Sequence, residues 1–116
     1  MLVLRSRLNV TDDQREQIRG IVEAHRSEIA VAARPVVEKR RALRAVVTAD
    51  APNESDIRAA AADLSGALGD AAVLAARIRS EVFAVFTPEQ QTLIQESRTE
   101  RDDAVDGFLN QMAEAQ

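Results

Sequence analysis

The sequence predicts an all-α protein: an elongated bundle of about four helices that includes a long antiparallel hairpin. Three observations carry this. One short motif, a Thr three residues before a Gln with an apolar residue ahead of it, opens two helix-like stretches, Val10-Thr11-Asp12-Asp13-Gln14 and Phe86-Thr87-Pro88-Glu89-Gln90. Apolar residues make up 46% of the chain but aromatic ones only 3%, so burial must come from ridges of Ala, Val, Leu and Ile rather than from a bulky core. From Ile57 to Val85 apolar residues recur at alternating spacings of four and three.

Each motif is a capping box. The Thr hydroxyl accepts the backbone N–H of the third helical residue, and the Gln side chain reaches back to the Thr N–H. Asp12, Asp13 and Glu89 place negative charge at the positive end of the helix dipole, and Pro88 suits a first helical position that needs no donor. Thr11, Gln14, Thr87 and Gln90 are therefore assigned as structural helix caps.

Residues 1–10 read as a lead-in, residues 11–112 as a single helical domain and residues 113–116 as a tail. The first helix starts at Asp12, with Ile18, Ile21, Val22, His25, Ile29, Ala32 and Ala33 on one face. Pro35 is expected to break it and to push Arg34 out of helical geometry, giving segments of about 12–33 and about 36–47. Thr48 to Asn53 form a turn, with Asn53 or Ser55 as the next N-cap. The long helix that follows carries a seam of Ile57, Ala61, Leu64, Leu68, Ala71, Ala75, Ile78, Val82 and Val85. Gly66 and Gly69 within it mark either a close approach or a bend. The last helix starts at Pro88, has a weaker apolar stripe, and becomes more exposed beyond about Arg98.

With no Cys, the chain has no disulfide, thiolate metal site or Cys nucleophile. No run approaches the ~18 apolar residues that span a bilayer, and no signal peptide is read. Net charge is −4, unevenly spread: residues 1–47 hold ten Lys/Arg and six Asp/Glu, whereas residues 48–116 hold five and thirteen. Such polarity favours association between copies. A helix over residues 54–86 would run ~50 Å. A compact domain of this length has a radius of gyration of only ~13 Å. The seam is therefore expected to be buried in a two-fold homodimer, with a slim monomeric helical hairpin bundle as the competing reading.

Two such boxes some 75 residues apart, with a Pro-bearing break and the basic run Arg34-Pro35-Val36-Val37-Glu38-Lys39-Arg40-Arg41-Ala42-Leu43 between them, resemble the Spy/CpxP family of bacterial periplasmic stress proteins, named for paired LTxxQ motifs. The resemblance covers roughly residues 7–101, with Val10 and Phe86 in place of the usual Leu. It implies four helices per protomer and a cradle-like antiparallel dimer. It also implies a periplasmic, ATP-independent chaperone or stress-response accessory protein that holds partly unfolded clients on a concave basic and apolar surface. CpxP-like members also damp a sensor kinase, and other relatives respond to heavy metals. A metal-stress sensor domain and a single-partner regulator of a sensor kinase are thus the alternative readings. The chain departs from basic Spy-like members in being net acidic, so attraction for acidic clients is confined to its first half. A periplasmic protein of this sequence is expected to be a mature form, its signal or anchor absent from this chain.

The residues assigned to client or partner binding are Arg26, Arg34, Val36, Val37, Lys39, Arg40, Arg41 and Arg44, because long basic side chains offer apolar stems as well as charge. A solvated face neutralised through Glu38, or across a dimer, is the competing reading. No aromatic platform or helix-turn-helix signature points to nucleic acid. His25, the only His, reads as a packing or interface residue. With Glu28 it is the nearest thing to a metal site, but no H-x-x-x-H pair supports one and no metal or cofactor is assigned. Asp102, Asp103 and Asp106 read as a solvated helix end. With no phosphate loop, nucleophile elbow or Cys/His pair, the chain is read as a non-enzyme.

Overall fold

The computed structural model describes residues 8–114. It holds four helices, α1 (Asp12–Ala24), α2 (Arg26–Val47), α3 (Glu54–Phe83) and α4 (Pro88–Glu114), and no strand among the described residues. The first seven residues of the lead-in and the last two of the tail lie outside them; α4 takes in the first two tail residues, 113 and 114. Contacts divide the described residues into two compact units, one of Ile18–Val82 and one formed by those up to Gln17 and from Phe83 onward.

The Ile18–Val82 unit is a helical hairpin. Its turn is closed on one side by Thr48, whose hydroxyl and N–H both donate to the Arg44 carbonyl at 2.8 and 3.0 Å. On the other side Asn53 caps α3, its Oδ1 accepting the Asp56 N–H at 3.1 Å. The helices run antiparallel: His25 meets Glu81, and three residues on, Glu28 pairs with Arg77 at 3.7 Å.

The expected break at Pro35 is corrected by the structure. Helix α2 runs through Pro35, and Arg34 stays helical. Proline removes only its own donor, and the carbonyl that loses it belongs to Val31, 73% exposed, where water can replace the bond. The break falls instead at His25, whose N–H is shared between the Ile21 and Val22 carbonyls at 3.3 and 3.1 Å.

The α3 seam is corrected as well. Ile57, Leu64, Ala71, Ile78 and Val82 face inward as expected, but Ala60, Ala67 and Leu74 take the places assigned to Ala61, Leu68 and Ala75. Apolar residues stand side by side at those positions, so two seams one residue apart satisfy the same heptad. Packing selects the one that puts the small Ala67 inside, at 8% exposure, and leaves Leu68 at 42%. A Cβ built on Gly66 or Gly69 meets nothing within 4 Å, so neither glycine serves a close approach within the protomer. Gly66→Ala and Gly69→Ala are each expected to stabilise the protein by about 0.5–1 kcal/mol, read as a rise in Tm.

By length and composition α3 reaches the level of a membrane-crossing helix, with a mean hydropathy of 1.3 over 18 residues. Its apolar run is nevertheless interrupted at every seventh residue by Asp63, Asp70 and Arg77, and its inward face packs on α2.

In the other unit the two capping boxes form as expected and interlock. Gln14 accepts the Thr11 N–H at 3.0 Å, and its own N–H donates to the Thr11 hydroxyl at 3.1 Å; Gln90 and Thr87 repeat this at 2.9 and 3.2 Å. The two Gln amides also bond each other, at 2.7 and 3.1 Å. Their remaining N–H groups donate to the Val85 and Leu8 carbonyls. Asn9 (φ 51°), a residue type that tolerates the left-handed region, turns the chain beside Leu8. Both amides are buried, and each uses two donors and two acceptor sites, so neither leaves an unpaired polar atom. Helix α4 extends from this cluster, and its described side chains from Thr99 onward are exposed.

Candidate functional site

The basic residues picked out in the sequence all lie on α2. Arg34, Val37, Arg41 and Arg44 follow one another at three and four residues and form a single outward stripe. Arg40 is exposed at its flank. Val36 and Lys39 are half-buried on the side turned to α3, so their stems contribute to packing. Arg26 is exposed and pairs with Glu23 at 3.4 Å. Among the described residues no ion pair neutralises Arg34, Lys39, Arg40, Arg41 or Arg44, and Glu38 pairs with none of them.

Beside this stripe the hairpin leaves an apolar groove of about 430 Å³. Ile29 and Ala33 form one wall, Ala75 and Val82 the other, and Arg79 is the one charged residue lining it. Ile29 and Ala33 share a flank of α2 with Arg40, four and seven residues apart in turn, so the groove leads toward the cations. The sequence reading placed Ile29, Ala33 and Ala75 on interior faces and missed the groove. Its only signal was the width of the apolar stripe on both helices, which exceeds what one partner helix covers.

At the helix break, His25 is half-buried between two exposed carboxylates. Its Nδ1 meets Glu28 at 2.9 Å, and its Nε2 hydrogen-bonds with Glu81 of α3. These bonds, Glu81's first and Glu28's second, raise the imidazole's pKa above its ordinary 6.5. When protonated, the ring donates from both nitrogens and ties the start of α2 to the end of α3; neither nitrogen then has a lone pair for a metal. No group of three or more His, Asp or Glu among the described residues has metal-binding geometry.

The pH consequence follows from the sign of the shift. A pKa raised on folding contributes stability that is fully present below about 6.5 and is lost as pH rises through the higher folded value. Thermal unfolding is expected to show Tm falling over that interval, with His25→Gln flattening the profile. A wild-type profile flat across the interval would contradict the clamp.

Comparison with known proteins gives a family and named relatives. The family described as "LTXXQ motif family protein" matches residues 3–98. The Periplasmic protein CpxP of Escherichia coli (strain K12) is 28% identical over 95 residues, which is 81% of this chain and 55% of that protein. CpxP of Escherichia coli O6:H1 matches to the same extent. The chain therefore spans about half the length of the curated relatives it matches.

Proposed function

The chain belongs to the LTXXQ motif family, and from that membership we propose that it is a periplasmic stress-response accessory protein that holds partly unfolded proteins without ATP. Residues 11–112 act as its one functional domain. Clients lie along the α2 stripe, with Arg34, Val37, Arg40, Arg41 and Arg44 in contact and Arg26, Val36 and Lys39 supporting its edges. Their apolar side chains enter the groove of Ile29, Ala33, Ala75 and Val82. The observation that carries this reading is the adjacency of an open apolar groove to a run of cations with no ion-pair partner among the described residues. Unfolded segments offer what such a surface lacks, namely exposed apolar side chains and backbone or carboxylate acceptors.

The periplasmic assignment is supported by the names of the matched relatives. Assembly as a cradle-like antiparallel homodimer is supported by the apolar side chains the chain leaves uncovered, Leu68 among them at 42% exposure. A sensor kinase is a further partner under this reading, and no catalytic step is assigned.

The test is suppression of aggregation of an unfolding client, without ATP, at low and moderate salt. Protection at one-to-one stoichiometry or below that fades with salt supports the assignment, because exposed charges are screened beyond about 10 Å at 0.1 M salt. No protection at several-fold excess overturns it and favours a single-partner regulator or a metal-stress sensor, which pull-down and metal titration then separate.

A further inference from the structure

The hairpin has a second groove, of about 550 Å³, on the other side of its seam. The two grooves share Ala32 and Leu74 as their floor but differ in their rims. Here Val31 of α2 and Val73 of α3 stand 73% and 61% exposed, among the most exposed large apolar side chains described. The charges beside them are mainly acidic. Glu28 is engaged by Arg77 at 3.7 Å, whereas Asp70 has no partner among the described residues. Asp63, one heptad earlier on the same side of α3, is likewise unpaired. Pro35 lines the groove too, and its missing N–H leaves the Val31 carbonyl without its helical donor.

This rim presents acceptors and apolar surface, and Arg77, its one cation, is occupied. What complements it is a ligand that brings donors and positive charge together with an apolar face. We infer that the groove of Val31, Asp70 and Val73 docks a basic amphipathic helix of a partner protein. Apolar residues of that helix, one turn apart, pack on Val31 and Val73, and a Lys or Arg reaches Asp70 and the Val31 carbonyl. Two antiparallel helices with an open furrow between them are the geometry that a third helix fills. The hairpin thus carries two docking surfaces of opposite polarity, on opposite flanks of a shared floor.

The test uses the whole chain and two fluorescent amphipathic peptides with the same Leu/Ala face, one flanked by Lys and one by Glu. Anisotropy at low salt is expected to show binding of the Lys peptide only. Asp70→Lys and Val73→Asp are each expected to weaken it by about tenfold. Both positions are exposed, so both variants keep the wild-type circular dichroism. Equal binding of the Glu peptide, no binding of either peptide, or an Asp70→Lys affinity within about twofold of wild type would overturn the inference. So would a fall of Val73→Asp from dimer to monomer in sedimentation, which would make a second copy the occupant.

Discussion

Gln14→Glu is expected to destabilise the protein by about 3 kcal/mol or more at neutral pH, lowering Tm by about 10 °C or more. The new carboxylate still accepts the Thr11 N–H and a Gln90 Nε2–H. It loses both donors, however, and its charge then faces the Gln90 Oε1 and the Val85 carbonyl, the two oxygens that Gln14 now bonds. A buried charge set against two acceptor oxygens is strongly destabilising even where some donors remain. Gln90→Glu is expected to behave alike through Gln14 and Leu8. Thr11→Ala removes only one cap acceptor and should cost about 1 kcal/mol. Acid distinguishes the mechanisms. Protonation gives the substituted side chain one donor back. Its folded pKa is raised, so the lost stability returns as pH falls below that value. Thermal unfolding at about pH 4.5 and pH 7.5 should show the gap to wild type narrowing for Gln14→Glu and not for Thr11→Ala. A gap independent of pH would mean that the amide pair does not bear on stability as argued.

The interlocked amides also show where sequence reasoning stops. Each capping box was legible because Thr and Gln lie three residues apart and the interaction is local. The bond between Gln14 and Gln90 joins residues 76 apart, and no periodicity reports such a pairing. The one trace of it is the choice of Gln at both third positions. A lone capping box accepts Glu equally well, but two side chains that must each donate and accept toward the other need amides. The helix break was misplaced for a related reason. Proline is the strongest local breaker, yet one missing donor in an exposed stretch of α2 is tolerated. His25 marks the actual break through a contact with Glu81, 56 residues away. The α3 seam slipped by one residue because its apolar repeat supports two registers, and only the fit against α2 selects one. The basic run on α2 could be read directly from its residues. The grooves could not, since each depends on which flank of two wide apolar stripes the partner helix leaves uncovered.

Replacing Arg40, Arg41 and Arg44 together with Ser is expected to weaken binding of an acidic unfolded client by about tenfold to a hundredfold at low salt. Three exposed cations with no ion-pair partner among the described residues each contribute about 0.5–1 kcal/mol to an oppositely charged ligand when screening is weak. The same exposure means that folding should be nearly untouched, with a Tm change within about 2 °C. Lys39 serves as the internal contrast. It is half-buried toward α3, so Lys39→Ser removes packing as well as charge and should lower Tm along with affinity. Salt separates the two parts of the surface. Near 0.5 M the triple variant and the wild type should converge, because only the electrostatic part has been removed. Ile29→Ser acts on the apolar groove and should weaken binding by a similar factor at every salt concentration. If the triple variant binds as tightly as wild type at low salt, the cations are a solvated face and the groove alone holds the client. If Ile29→Ser has no effect while the triple variant does, the surface is an electrostatic patch that selects acidic partners whether folded or not. Only loss in both, salt-dependent for the cations and salt-independent for Ile29, describes a surface that recognises the unfolded state, in which charge and apolar side chains become accessible together.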